Sequence, residues 1–97
     1  MDASDKHSLE NREIYYRGRV QGIGFRFTVR MIAARFAVSG FVKNLPDGRV
    51  QLVVEGETGE LQQFLDAISA EMGRYISDSK QQITPASGRF DAFEIRF

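Results

Sequence analysis

"GRVQGIGFRF", residues 18–27, is the stretch from which the fold can be read. On its N-terminal side, "EIYYRGRV" (13–20) is rich in β-formers. Ile14, Tyr16, Gly18 and Val20 alternate with Tyr15, Arg17 and Arg19, which is the period of a strand. After the glycines the period changes. Phe25, Val29, Ile32, Ala33 and Phe36 recur at i, i+4, i+7, i+8 and i+11, the apolar stripe of an amphipathic helix that is expected to stop near Ser39-Gly40. Arg30 and Arg35 fall outside the stripe, on a solvated face, and Thr28 reads as an ordinary helix residue. The joint itself holds Gly22, Gly24 and then Arg26. It has two readings, a flexible turn or a cradle for an anion. Glycine lets backbone N–H groups turn inward, and a helix N-terminus presents further N–H groups and a positive dipole end. Arg26 would add a planar donor fork suited to phosphate oxygens.

Outward from this joint, "GFVKNLPDGRVQLVVEGE" (40–57) reads as a hairpin with strands at Phe41–Asn44 and Arg49–Glu55. The turn has a mechanism, since Pro46 presets φ, Asp47 favours the turn and Gly48 accepts positive φ. Val50, Leu52 and Val54 alternate toward one face. Thr58 is expected to cap a second helix, with Glu60 in its first turn and Leu61, Phe64, Leu65, Ile68 and Met72 as its buried stripe up to Gly73. Residues 75–85 are too polar for a central strand and read as an edge strand. "FEIRF" (93–97) alternates Phe93, Ile95 and Phe97 against Glu94 and Arg96, a strand closing the sheet. Residues 1–12 read as a flexible polar tail, with the domain spanning 13–97. The order predicts a ferredoxin-like α+β sandwich, βαββαβ, with two helices on one face of a mostly antiparallel sheet of about four to five strands.

Composition narrows the function. The 97 residues suit one domain, and 42% hydrophobic with 27% charged is ordinary for a globular chain. Thirteen basic residues against thirteen acidic ones argue against a general nucleic-acid binder. With no cysteine and His7 as the sole histidine, thiol catalysis, disulfides and thiolate or multi-histidine metal sites are excluded. No apolar run approaches the ~20 residues needed to span a bilayer and no signal-peptide pattern occurs, so a cytoplasmic location and no membrane partner are expected. Nothing demands more than a monomer, and no cofactor is implied. The loop is no Walker A motif, because no Gly-Lys-Ser/Thr follows. A dinucleotide fingerprint would need a glycine where Phe27 stands. "RVQLVVEG" (49–56) lacks the aromatic signature of an RNA-recognition motif.

Asn44, at a strand end beside the turn, would by itself read as a structural turn asparagine. Taken together, "GRVQGIGFRF" and "GFVKNLPDGRV" (40–50) resemble the acylphosphatase family over residues 13–97. Its Gly-x-Val-Gln-Gly-[Val/Ile]-Gly-Phe-Arg loop and Gly-[Phe/Trp]-Val-x-Asn-x-x-Asp-Gly hairpin are both met without gaps. The segment 75–85 departs from the family's commoner Gly-Pro turn and apolar strand. The resemblance implies hydrolysis of acyl phosphates to a carboxylate and inorganic phosphate. It implies Arg26 and Asn44 as catalytic residues. It also implies a phosphate-binding loop of Gln21, Gly22, Ile23, Gly24, Phe25 and Arg26, acting mainly through backbone N–H groups.

That small set is chemically sufficient. A carboxylate leaving group has a conjugate-acid pKa of about 4 to 5 and departs without a general acid. The loose transition state of phosphoryl transfer demands no strong base. What remains is to neutralise the phosphoryl oxygens and to place water in line, tasks for Arg26 with the loop and for Asn44 respectively. Direct attack of water on phosphorus, without a metal, is therefore expected. His7 has no partner motif, Asp47 fits turn chemistry, and Tyr15 and Tyr16 fit sheet packing. Two alternatives stand beside this reading. One is an anion-binding or interaction module without catalysis. The other is the carbamoyl-phosphate-processing domain found at the N-terminus of hydrogenase-maturation carbamoyltransferases, disfavoured because the chain stops at Phe97. Acetyl phosphate, carbamoyl phosphate and 1,3-bisphosphoglycerate share one headgroup, so the motifs alone do not choose the acyl group.

Overall fold

The computed structural model describes residues 8–97; His7 lies outside the described residues. The chain runs β1 (Leu9–Gly18), α1 (Phe25–Ala33), β2 (Val38–Asn44), β3 (Val50–Glu57), α2 (Thr58–Met72), a single 3-10 turn (Gly73–Tyr75), β4 (Ile76–Pro85) and β5 (Phe93–Arg96). The strands form one sheet in the order β4-β1-β3-β2-β5. Every neighbouring pair is antiparallel except β2 with β5, which is parallel. This is the expected ferredoxin-like arrangement, with the fifth strand added at one edge.

Alternation decides which face of the sheet the helices cover. Ile14 and Tyr16 of β1, Val42 of β2 and Val50, Leu52 and Val54 of β3 all point into one core. Phe25, Val29 and Ile32 of α1 meet them, with Leu61, Phe64 and Ile68 of α2. Each of these side chains is nearly or fully buried, and such burial stabilises by roughly 1.5–3 kcal/mol for each large aliphatic or aromatic group.

β1 ends at Gly18 rather than Val20, β2 begins at Val38 rather than Phe41 and β3 spans Val50–Glu57 rather than Arg49–Glu55, and three further differences have a physical reason. First, β1 begins at Leu9, so residues 9–12 are not part of a tail but pair with β3 across Leu9↔Glu57 to Arg12↔Val54. Ladder hydrogen bonds are made by backbone, so a polar segment can join a sheet without apolar alternation. Its buried Arg12 is satisfied by Glu10 Oε1, 3.0 Å from Nη2, and by Gln62 Oε1, 3.1 Å from Nη1. Second, α1 ends at Ala33, well short of Ser39-Gly40. Gly40 instead sits inside β2 at φ 141°, where a Cβ would strike the Val53 carbonyl of the neighbouring strand. Its glycine serves a close backbone approach, not a helix stop. Third, Thr58 does not cap α2; Glu57 holds the N-cap position without a side-chain bond. Glu60 Oε1 accepts from the Ala37 N–H at 2.8 Å and so ties α2 to the segment before β2. The buried stripe of α2 and its end at Gly73 are as expected.

β4 and β5 lie on opposite edges, so residues 86–92 must cross the sheet on the face that the helices leave open. The crossing is pinned at the centre. Glu55 of β3 accepts hydrogen bonds from Ser87 N and Oγ, both 2.8 Å, and from Gly88 N at 3.0 Å. Asn11 Nδ2 donates to the same carboxylate at 2.7 Å. Phe90 then packs on Phe41, with ring centroids 6.0 Å apart. Because the chain crosses at the Leu9 end of the sheet, β5 must run back alongside β2 in the same direction, with Gly40↔Phe93 to Lys43↔Arg96 in register. That register delivers Phe97 beside the end of β2, where Asn44 stands.

Candidate active site

The loop between β1 and α1 follows from its two glycines. Gly22 has φ 77° and Gly24 φ 81°, both left-handed, and an added Cβ at either would meet nothing within 4 Å. The requirement is conformational, not steric. Gly24 is the N-cap of α1, and no side chain caps this helix. Nor does its first turn carry an acidic residue, the usual complement to the positive end of the dipole. The opening N–H groups of α1 are therefore left to whatever enters from the loop side.

Arg26 lies in that first turn and is held from β5. Its Nη1 donates to the Arg96 carbonyl at 3.0 Å, and its Cζ sits 4.7 Å from the Phe97 ring centroid. A guanidinium fixed by one N–H and stacked on a ring keeps its other donors in one plane for an anion. Asn44 reaches the same place from the end of β2. Its Oδ1 is buried and accepts no hydrogen bond among the described residues. Buried polar atoms are nearly always partnered, so Asn44, which lines a cavity, carries an acceptor that no described residue satisfies. Gly22, Gly24, Arg26 and Asn44 line one cavity of about 180 Å³, with Phe27 and Phe97 at its rim.

Two residues of the loop set stand apart. Gln21 does not line the cavity; its Nε2 donates to the carbonyls of Leu45 and Arg49, at 2.8 and 2.9 Å. Its side chain thus joins the loop to the hairpin turn that follows Asn44. Ile23 also points elsewhere, with 38% of its surface exposed. Phe27, Ile95 and Phe97 are lining residues that the sequence reading did not assign to the site. Alternation in "FEIRF" set Ile95 and Phe97 on one face, but nothing local told which strand β5 would pair with. Asp47 belongs to the turn. It accepts from Arg49 N at 3.1 Å and pairs with Arg49 Nε at 2.8 Å, and these bonds, the backbone one foremost, hold its carboxyl below the usual range. Tyr16 is core, and burial pushes its phenol pKa far up, so it stays neutral. Among the described residues no group of three or more His, Asp or Glu side chains could hold a metal ion. No helix among them is long and apolar enough to cross a membrane.

The family model described as acylphosphatase matches residues 12–95. The acylphosphatase of Syntrophus aciditrophicus is 47% identical over 93 residues, covering 92% of this chain and 94% of that one. That of Archaeoglobus fulgidus is 48% identical over 58 residues, covering 60% of this chain and 65% of that one. The crystal structure of acylphosphatase from Bacillus subtilis superimposes with a TM-score of 0.79 at 33% identity, covering 92% of this chain and 99% of that one. With the family model spanning residues 12–95 and a relative 47% identical over most of both chains, the chain belongs to the acylphosphatase family.

Proposed function

We propose that the chain hydrolyses acyl phosphates by direct in-line attack of water on phosphorus, with Arg26 and Asn44 as its catalytic residues. The observation that carries this reading is the convergence of an uncapped helix N-terminus, Arg26 and Asn44, whose Oδ1 has no partner among the described residues, on one cavity. The main-chain N–H groups of the 21–26 loop and the Arg26 fork hold the phosphoryl oxygens and stabilise the charge that builds on them in the transition state. Asn44 Oδ1 accepts a hydrogen bond from the attacking water and aims its oxygen at phosphorus, opposite the bridging oxygen. The new P–O bond forms as the bond from phosphorus to the acyl oxygen breaks. That electron pair leaves on the carboxylate, and the water's protons remain with the phosphate or pass to solvent. No protein acid is needed, because the leaving carboxylate is a weak base. No step requires a metal ion, and a cytoplasmic monomer fits the reading.

The test is hydrolysis of acetyl phosphate in ¹⁸O-labelled water with EDTA present. Attack on phosphorus places the label in inorganic phosphate. Label in acetate would mean attack on the acyl carbon, and loss of turnover with rescue by a divalent ion would end the metal-free mechanism. Phosphate binding without turnover would leave an anion-binding module in its place.

A further inference from the structure

The chain has no net charge, yet its charges are unevenly placed around the cavity. Strand ends supply part of the cavity wall: Val20 just after β1, Asn44 at the end of β2, and Ile95 and Phe97 around the end of β5. The charged residues next to these in the chain are Arg19, Lys43, Glu94 and Arg96. Glu94 and Arg96 form an ion pair at 3.1 Å and offset each other. Arg19 and Lys43 remain, and neither side chain makes an ion pair or a hydrogen bond among the described residues. The other acids on the strands and hairpin turn at this end already face cations. Asp47 pairs with Arg49 at 2.8 Å, and Asp78 stands opposite Arg17 in the β1–β4 ladder. Further acids lie at the opposite end of the sheet. There Glu57 stands opposite Leu9, Glu60 accepts from the Ala37 N–H and Glu55 holds the crossing segment.

We infer that Arg19 and Lys43 are a pair of steering cations that draw anionic substrate to the cavity without touching it once bound. This rests on the hydrolase reading above and adds how the substrate arrives. Neither residue lines the cavity. Lys43 precedes Asn44 in β2, so its side chain leaves the sheet on the opposite face. Their action is therefore through space. Neighbouring Cα atoms are about 3.8 Å apart, and the screening length is about 30 Å at 0.01 M salt and about 3 Å at 1 M. Both charges thus act on the cavity at low salt and are cut off from it at high salt. Arg19 is exposed and Lys43 half-buried, so salt reaches both. An acyl phosphate carries its negative charge on the group that the loop and Arg26 hold. Uncompensated cations beside the site raise the local concentration of such an anion and its rate of entry. The effect comes from where the cations stand, because the whole chain is neutral. It acts before the substrate is seated, so it bears on kcat/KM and not on kcat.

The experiment measures kcat and kcat/KM for acetyl phosphate, and the Kd of inorganic phosphate by calorimetry, at low and high ionic strength. The proteins are native, Arg19→Gln/Lys43→Gln, Arg19→Lys and Arg89→Gln. The last removes a cation on the segment that crosses the sheet at its far end, as a control for net charge. Salt anions also compete for the cavity, but they do so in every protein, so each variant is read as a ratio to native at the same salt. At about 0.01 M salt the double variant is expected to lose roughly fivefold in kcat/KM and in phosphate affinity, with native kcat. At about 1 M both ratios should return to within about twofold of native. Arg19→Lys, which keeps the charge, and Arg89→Gln should match native at both salts. A loss in the double variant that is equal at both salts would mean contact or misfolding and overturns the inference. So would no loss at low salt, a loss in Arg19→Lys, or an equal loss in Arg89→Gln. If native protein bound phosphate with this salt pattern but turned over no acetyl phosphate, the hydrolase reading would fail while the steering of anions stood.

Discussion

The Gln21 side chain reaches across to the Leu45 carbonyl at 2.8 Å, joining the β1–α1 loop to the strand end that carries Asn44. The same Nε2 also donates to Arg49 at 2.9 Å, so one amide spans the hairpin turn. The two halves of the site thus come from segments more than 20 positions apart and are fixed to each other by one side chain. Gln21→Leu keeps the approximate size and removes both bonds. Each bond contributes about 0.5–1.5 kcal/mol, so a loss of about 1–3 kcal/mol in stability is expected. kcat should fall further than that loss implies at temperatures where the variant is folded, since small misplacements of a nucleophile are costly. Gln21→Glu should restore neither effect, because a carboxylate cannot donate to the two carbonyls. Thermal unfolding and steady-state kinetics on one preparation check this; native kcat in Gln21→Leu would show the tie to be dispensable.

Arg26→Ala is expected to weaken phosphate binding and to lower kcat/KM by roughly 10²–10³ or more, the scale for loss of one preorganised donor. Arg26→Lys should recover little. A lysine ammonium cannot reproduce the planar fork, nor donate to the Arg96 carbonyl while also presenting two parallel donors. The measurements are kcat/KM and inhibition by inorganic phosphate. Near-native activity in Arg26→Lys would remove the bidentate role and leave a point charge.

Sequence legibility tracked how local each signal was. The buried stripe of α2 was readable as Leu61, Phe64, Leu65, Ile68 and Met72 because helical period is written in neighbouring residues. The left-handed glycines of the loop were readable for the same reason. Gly40 was misread because a glycine that stops a helix and one that admits a neighbouring strand look alike until the pairing is known. The polar start of β1 was missed because its partners, Glu57 to Val54, are remote in sequence. Arg26 could be singled out from the loop's own chemistry, whereas Asn44 was reachable only through the family motifs. Their support from Arg96 and Phe97, and the role of Gln21, depend on contacts with no local signature.

Glu55 gives the fold a predictable acid sensitivity. Burial alone would raise its pKa, but hydrogen bonds from Asn11, Ser87 and Gly88 outweigh that and hold it below its ordinary value of 4.5. The folded state therefore releases this proton more readily than the unfolded chain. The associated stability is fully present above about pH 4.5 and is lost as pH falls through the lowered folded value. Glu55→Gln should be less stable than native at pH 7 by about 1.5–3 kcal/mol, the range for hydrogen bonds to a charged group. A domain of this size shifts its midpoint by about 4–8 °C per kcal/mol. The gap between the two proteins should narrow as pH drops from 5 toward 3. Thermal midpoints across that range decide it, and a gap that stays constant to pH 3 would mean the crossing segment does not depend on the ionised carboxylate.

Asn44→Ala should separate catalysis from binding. The loop and Arg26 are untouched by the change, so inorganic phosphate should inhibit competitively with a similar Ki. In the proposed mechanism the orphaned Oδ1 acts on water, and water placement counts only on the way to the transition state, so the loss should fall on kcat with little change in substrate affinity. Correct placement of a nucleophile supplies several kcal/mol, and a fall in kcat of roughly 10² or more is expected. Asn44→Asp offers a sharper contrast. It keeps an acceptor for the water but sets a negative charge beside the phosphoryl group, so it should weaken phosphate binding as well as kcat. Stability should change little in Asn44→Ala, because the residue ends β2 beside a turn and its Oδ1 holds no bond within the described residues. Removing a buried acceptor that lacks a partner can even raise the thermal midpoint. Native kcat in Asn44→Ala would return the residue to the role of a turn asparagine. A joint collapse of kcat, Ki and midpoint would instead make it a support of the loop. Only a selective loss of kcat, with Ki and midpoint held, matches an oxygen that does nothing until water and phosphorus are both in place.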